Sequence, residues 1–173
     1  MAAATKGKIA RTEFYAHALA IEREAARRYW EFAHQLLLYR KNIIAGVLLE
    51  LARRECEQLD ALEYETAGMA LPALAPSEHR WHGVDGQDDG PLFIARCLSN
   101  PAHALEVALE NERRAKAFYE RMAVTLSDLE ARRIATKHAS DENEHIAFIE
   151  RALRQNIAMD KARSDTRAAA MPA

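Results

Sequence analysis

The sequence has few of the residues that interrupt helices. Its 173 residues include 6 glycines and 5 prolines, and most of these lie between residues 68 and 101. The two flanking parts are rich in alanine, leucine, glutamate and arginine, and their apolar residues recur with the 3.6-residue period of a helix. The sequence therefore predicts an all-α protein, and its length fits one domain with a single core.

Cysteine and long apolar runs are also scarce. The two cysteines, Cys56 and Cys97, are too few for a disulfide framework and form no Cys-x-x-Cys pair, so neither a thiolate metal site nor a redox dithiol is indicated. The longest apolar run, Ile43 to Leu49, is far shorter than the roughly 20 residues that span a bilayer. Residues 1–11 lack the apolar stretch of a secretory signal and read as a short disordered lead. We expect a cytoplasmic protein with no membrane partner.

The chain has no excess of charge of one sign. Its 24 lysines and arginines nearly balance 26 aspartates and glutamates, which leaves a formal net charge of -2. Such a balance gives no electrostatic footprint for nucleic acid. We therefore expect no nucleic-acid partner.

Four long helices are predicted, arranged as a four-helix bundle. They run from about Thr12 to about Leu37, from an Asn42 cap to about Glu65, from Pro101 to about Thr125, and from a capping box of Ser127 and Glu130 to about Ile157. The two short connections make two helical hairpins, and one long crossover, about residues 66–99, joins the second helix to the third. Within it, Leu92 to Leu98 is expected to pack as a helical turn. The domain would cover 12–157, with 158–173 as a frayed tail.

Four glutamates lie on faces where a solvated acid is not expected. Most of the residues three, four and seven positions from each of them along a helix are apolar, although neighbouring acids such as Glu24 and Glu144 have charged surroundings. A buried ionised carboxylate is strongly disfavoured unless it is paired, protonated or bound to a metal. The four acids are Glu22, Glu55, Glu112 and Glu142.

The two hairpins repeat the same pattern of polar residues. In the first and third helices, Glu22 and Glu112 each precede a tyrosine by seven residues; in the second and fourth, Glu55-x-x-Gln58 matches Glu142-x-x-His145. Two lone glutamates and two paired motifs of this kind build a carboxylate-bridged dinuclear site in a bundle. Carboxylates with an imidazole suit iron or manganese. The sequence therefore predicts a dinuclear metal centre.

The same segments resemble a known family. Residues 20–26 (AIEREAA), 51–55 (LARRE), 108–115 (ALENERRA) and 141–145 (DENEH) are similar to the rubrerythrin branch of the ferritin-like di-iron proteins. The resemblance implies a ferritin-like fold and a non-haem di-iron protein that reduces peroxide or dioxygen in oxidative-stress defence. It implies two iron ions, with manganese as the alternative, and no haem. Carried over by position, the metal ligands are Glu22, Glu55, Glu112, Glu142 and His145.

The sequence departs from that family in three ways. Gln58 stands where the family has a second-helix histidine, and Ala115 stands where an additional glutamate is common. One metal position should therefore have fewer ligands than the other. The sequence also shows no counterpart of the family's small cysteine-ligated iron domain, so we expect a separate electron-donor protein.

Four further residues are candidates for the site. Gln58 offers only a weak oxygen ligand, and His138, four residues before Glu142, either replaces the missing imidazole or is an ordinary core histidine. Tyr29 and Tyr119 either hydrogen-bond a ligand carboxylate, in a catalytic supporting role, or are large core residues.

Other motifs carry less weight. His79-x-x-His82 in the crossover is a weak metal candidate, Glu31-x-x-His34 faces outward, and Cys56 is expected to be a small packing residue. Apolar residues at 36–38 and 43–49 exceed what one bundle face needs, so a homodimer is expected. Three other functions remain open: ferrous iron oxidation for iron handling, hydroxylation of an organic substrate, and a metal-poor ferritin-like interaction module.

Overall fold

The computed structural model is all-helical over the part of the chain that it describes, residues 9–74 and 91–169, with side chains described for 9–74 and 95–156. It contains four long helices and one short one. They are α1 (Arg11–Leu38), α2 (Asn42–Glu65), α3 (Pro91–Ser99), α4 (Ala102–Thr125) and α5 (Leu129–Ala169).

The predicted bundle of two hairpins is confirmed. Three residues separate α1 from α2, and three separate α4 from α5, so each pair folds back on itself and packs along its length. Arg40 in the first connection takes a left-handed conformation, with φ of 58°. The predicted helical turn in the crossover is α3, which contacts α4 and α1.

Two helix starts differ from the sequence prediction. The cap of α5 is Asp128 rather than Ser127, because the Asp128 Oδ1 accepts a hydrogen bond of 2.8 Å from the Ala131 N–H. Asn42 is the first residue of α2 rather than its cap, and Lys41 precedes it without a side-chain capping bond. Capping depends on the local direction of the chain, and two adjacent polar residues do not reveal which one faces the helix end.

The last helix is longer than predicted. We expected α5 to end at about Ile157 with a frayed tail, whereas it continues to Ala169. Residues 158–169 contain neither glycine nor proline and are rich in alanine, lysine and arginine, which all favour a helix. The apolar periodicity that placed the predicted end at Ile157 is therefore not required for the helix to continue.

Two apolar clusters fill the bundle, one on each side of a polar layer. One contains Phe32, Leu48, Leu105 and Ile149, and the other contains Phe14, Leu62, Phe118 and Ile134, among others. Along α1 and α5 the chain passes from the second cluster to the first, and along α2 and α4 it passes from the first to the second. The second and third long helices therefore run in the same direction, as a crossover connection requires. On each helix the predicted glutamate lies between the two clusters.

The outer faces are polar or only locally apolar. Along α1, α2 and α5, acids and bases one turn apart form ion pairs, such as Arg27 with Glu24 and Glu31. Exposed apolar side chains gather near the connection between α1 and α2, where Leu38, Tyr39 and Ile43 face solvent. Within the described residues, the apolar stretches of the helices are too short to cross a bilayer.

Candidate metal centre

The four predicted glutamates are all buried in the middle of the bundle. Each glutamate lies on a different long helix, between apolar residues of the two clusters. The exposed fractions are 0% for Glu22, 1% for Glu55, 2% for Glu112 and 1% for Glu142. The neighbouring acids behave differently: Glu24 pairs with Arg27 and Arg28 at the surface, and Glu144 is exposed.

Three of these carboxylates surround one imidazole. The His145 Nδ1 lies 2.8 Å from the Glu55 Oε1, 3.1 Å from the Glu112 Oε2 and 3.5 Å from the Glu142 Oε2. One ligand atom from each of the four residues lies within 4.8 Å of the others, a spacing that could hold a metal ion. We call this set, Glu55, Glu112, Glu142 and His145, the Glu112 half of the centre.

The fourth glutamate has a histidine of its own. The Glu22 Oε1 lies 3.1 Å from the Nδ1 of His138, which is buried one turn before Glu142 on α5. The same Nδ1 lies 3.0 Å from the Gln58 Oε1, and the Gln58 Nε2 lies 3.3 Å from the His145 Nε2. The Gln58 amide thus lies between the two imidazoles. We call Glu22 and His138 the Glu22 half.

Two tyrosine hydroxyls hold the lone glutamates from the opposite hairpin. Tyr29 of α1 donates a hydrogen bond to Glu112 of α4, and Tyr119 of α4 donates one to Glu22 of α1. Both tyrosines are fully buried. Each tyrosine therefore reaches from one hairpin to the other and holds the lone glutamate of the opposite hairpin in position.

Within the described residues, the acids of the centre have no lysine or arginine to offset their charge. Among the described residues, no lysine or arginine pairs with Glu22, Glu55, Glu112 or Glu142, and the basic groups nearest to them are imidazoles. Within that same part of the chain, both carboxylate oxygens of Glu142 and the Oε2 of Glu22 accept no hydrogen bond. Buried carboxylates with free oxygens fit a bound cation, because an uncompensated buried charge is strongly unfavourable.

Proton affinities in the centre are shifted for the same reason. Burial, and then the charges of Glu112 and Glu142, raises the pKa of Glu55 well above its usual value. Burial and the Glu112 charge likewise raise the pKa of Glu142. Burial opposes a charged His145, but hydrogen bonds to Glu112 and Glu55 outweigh it and raise the pKa of His145 to about 10. Protons therefore take part of the role that a cation would have here.

Glu22 shows the opposite shift. Burial acts to raise the pKa of its carboxyl group, but the hydrogen bond and charge of His138 outweigh burial and lower the pKa below its ordinary value. Burial, followed by the charge of Glu22, raises the pKa of Tyr119, and burial with the charge of Glu112 does the same for Tyr29. Both hydroxyls therefore stay protonated and act as hydrogen-bond donors.

One opening reaches the centre from the surface. It is a cavity of about 400 Å³ between α2 and α5, and Gln58 and His145 lie among its lining residues. Its outer part is charged, with Arg53, Glu57 and Lys137 contributing. A small polar molecule would reach the imidazole side of the centre by this route.

The remaining sequence candidates lie elsewhere or differ from expectation. Cys56 is exposed and is not the packing residue we predicted, because its position on α2 faces away from the bundle. Glu31 and His34 face outward as predicted, and the His34 ring lies against Trp30. His79 and His82, with the acids that follow them, lie outside the described residues. The crosswise tyrosine pairing was missed, because no pattern within a single helix encodes it.

Comparison with known proteins places the chain in a family. The sequence matches no protein-family model and no curated protein. The crystal structure of an uncharacterized conserved protein from Magnetospirillum magnetotacticum MS-1 is similar, with a TM-score of 0.71 and 30% sequence identity. The match covers 83% of this chain and 93% of that one. The fold of that neighbour is ferritin-like, and the buried carboxylate and histidine cluster found here fits a di-iron site. The chain therefore belongs to the same conserved family of ferritin-like proteins as the Magnetospirillum protein.

Proposed function

We propose that this chain is a rubrerythrin-like di-iron oxidoreductase that reduces peroxide or dioxygen in oxidative-stress defence. The observation that carries the proposal is the buried set of Glu55, Glu112, Glu142 and His145, whose ligand atoms lie within 4.8 Å of one another with no lysine or arginine pairing with them among the described residues. Carboxylates with an imidazole favour iron or manganese over metals that prefer thiolates. Two iron ions would supply the two electrons that a peroxide needs.

The protein's own residues prepare the site for such chemistry. The carboxylates of the four glutamates and His145 would hold the ions, and the tyrosine hydroxyls of Tyr29 and Tyr119 keep two of those carboxylates in place. The apolar clusters on either side exclude water, which strengthens every electrostatic interaction inside. The centre is thereby buried, and two of its carboxylates are held in place before any ligand arrives.

The opening between α2 and α5 supports a small polar substrate. A cavity of about 400 Å³ with charged outer residues can admit peroxide or dioxygen, and it leads to Gln58 and His145. Reduction of one peroxide consumes two electrons and two protons and gives two waters. The electrons would come from a separate donor protein, and we place this activity in the cytoplasm.

A homodimer is part of the same proposal. The exposed apolar residues Leu38, Tyr39 and Ile43 near the first connection support a contact between copies. A peroxidase needs at most such a dimer, whereas an iron-storage protein must enclose a mineral. Assembly size therefore separates this function from iron storage.

A single-turnover assay tests the proposal. Protein loaded with ferrous iron without oxygen and then given peroxide should consume one peroxide per two irons within seconds. Glu112→Gln should lose this reaction, and Glu110→Gln, an exposed neighbour on the same helix that pairs with Arg114, should keep it. Wild-type protein that binds iron yet consumes neither peroxide nor dioxygen would rule the proposal out. Uptake of many irons per chain into a large assembly would indicate iron storage instead.

A further inference from the structure

The Glu22 half of the centre is built like the Glu112 half. In each half a lone glutamate receives a hydroxyl hydrogen bond from a tyrosine of the opposite hairpin. In each half the same carboxylate lies 3.1 Å from a histidine Nδ1 of α5. Because the two halves repeat both contacts, the role of His145 toward Glu112 has a counterpart in the role of His138 toward Glu22.

The position of His138 on α5 makes this counterpart geometrically possible. His138, Glu142 and His145 lie four and three residues apart, so their side chains share one face of the helix. The His138 ring is buried and stacks on the Tyr119 ring with centroids 5.0 Å apart. Tyr119 therefore orients both members of the Glu22 half, the carboxylate through its hydroxyl and the imidazole through its ring.

Gln58 has a different task from the residue that it replaces. Its amide oxygen faces the His138 Nδ1 at 3.0 Å, and its amide nitrogen faces the His145 Nε2 at 3.3 Å. Both ends of the amide are thus used by the two histidines, which leaves Gln58 as a spacer that orients them. A neutral amide is in any case a poorer ligand than an imidazole for iron or manganese.

From this geometry we propose that His138, and not Gln58, supplies the nitrogen ligand of the second metal position, together with Glu22. Glu22 has an oxygen that accepts no hydrogen bond from the described residues, and the carboxyl group of Glu55 lies next to it and can be shared between the two positions. Both imidazoles of the centre then come from α5, whereas the hairpin repeat assigns one to each hairpin. The inference rests on the proposed metal centre and does not require the proposed peroxide reaction.

Metal counting in variants tests the inference. We would titrate metal-free protein with Mn²⁺ without oxygen and count the bound ions by electron paramagnetic resonance. Wild type should bind two ions per chain. His138→Gln should bind one, and its affinity for that ion should differ less than threefold from that of wild type. Gln58→Ala should still bind two, with affinity reduced about tenfold, as for residues that orient ligands. The matched control is His17→Gln. It removes another buried histidine, which lies on α1 and packs against Phe118 of α4, and this variant should still bind two ions.

A measurement on the wild type covers the case in which a variant does not fold. With ¹⁵N-labelled histidine, pulsed resonance of the Mn²⁺-loaded protein should show one imidazole nitrogen on each ion. Two ions in His138→Gln, one ion in Gln58→Ala, or a single labelled nitrogen per centre would each overturn the inference. Wild type that binds two ions but, loaded with ferrous iron, consumes neither peroxide nor dioxygen would contradict the proposed function and leave the inference standing.

Discussion

The two halves of the centre share one construction and differ in how many acids they hold. Glu112 and Glu22 each receive a tyrosine hydroxyl and lie 3.1 Å from a histidine Nδ1. Around His145 there are two more carboxylates, at 2.8 and 3.5 Å, whereas around His138 the additional neighbour is the neutral amide of Gln58. The repeated fold thus gives two unequal halves, one with three carboxylates around its histidine and one with a carboxylate and an amide.

The largest expected effect comes from removing the histidine of the acid-rich half. In metal-free protein, His145→Gln leaves Glu55, Glu112 and Glu142 without their shared imidazole. Breaking a buried ion pair typically lowers stability by about 3 kcal/mol. Urea unfolding of metal-free protein measures the change, and His17→Gln is the control for loss of a buried ring. Equal stabilities of the two variants would show that the acids carry little charge.

The acid-rich half should also give the metal-free protein an unusual pH dependence. The pKa values of Glu55 and Glu142 are raised on folding, so above the unfolded value of about 4.5 these acids destabilise the folded state. His145, with its pKa raised to about 10, contributes stability that is complete below about 6.5 and is lost as the pH rises through 10. Both shifts lower the free energy of unfolding as the pH rises.

The free energy of unfolding of the metal-free protein should therefore increase as the pH falls from about 8 to about 6, by roughly 1 kcal/mol per pH unit. Below about 4.5, Glu22 acts oppositely, because its lowered pKa gives stability that is lost as the pH falls through the folded value. Metal-loaded protein should lose stability over the same range, because protons compete for the ligands. Urea unfolding at several pH values measures both slopes. A flat profile in metal-free protein would contradict the shifts.

Glu142→Gln should change the stability of the fold by a smaller amount, and with opposite signs in the metal-free and the metal-loaded protein. In metal-free protein the amide removes a buried charge and should stabilise the fold by about 1 to 2 kcal/mol. In metal-loaded protein the same change should weaken binding and lower stability. Glu144→Gln, an exposed acid two residues along the same helix, should change neither state. Thermal unfolding with and without metal gives both values. Destabilisation in both states would mean that Glu142 has a purely structural role.

The smallest predicted effect comes from the tyrosines and distinguishes the two halves of the centre. Tyr119→Phe removes the hydroxyl that holds Glu22, and Tyr29→Phe removes the one that holds Glu112. Each substitution should lower the affinity for one of the two bound ions by about tenfold and leave the affinity for the other unchanged. Tyr15→Phe, another buried tyrosine of α1, is the control. Calorimetric titration with Mn²⁺ resolves the two steps, and weakening of both ions by either variant would show that the halves are not independent.

The positions of the acids could be predicted from the sequence because each lies within one helix. Helical spacing alone showed that Glu22 and Glu112 have largely apolar neighbours, and both are buried. The repeat of glutamate and tyrosine also marked both tyrosines as candidates for the site, although each one holds the glutamate of the opposite hairpin. The same spacing distinguished Glu24 and Glu144, which the structure places toward solvent.

Contacts between helices could not be predicted in the same way. Whether the Tyr29 hydroxyl reaches Glu22 or Glu112 depends on the rotation of α1 relative to α4, which no single-helix pattern contains. The orientation of Gln58 between two imidazoles likewise depends on how α2 packs against α5. The cap at Asp128 depends on local chain geometry, and the length of α5 depends on helix propensity rather than on apolar periodicity.

The central claim is that buried acids from four helices are neutralised by bound cations. Its most direct test is the iron content of wild-type protein loaded with ferrous iron without oxygen, desalted and measured by elemental analysis alongside its unfolding temperature. We predict about two irons per chain and an unfolding temperature above that of the metal-free protein. No retained iron, together with an unfolding temperature equal to that of metal-free protein, would contradict it.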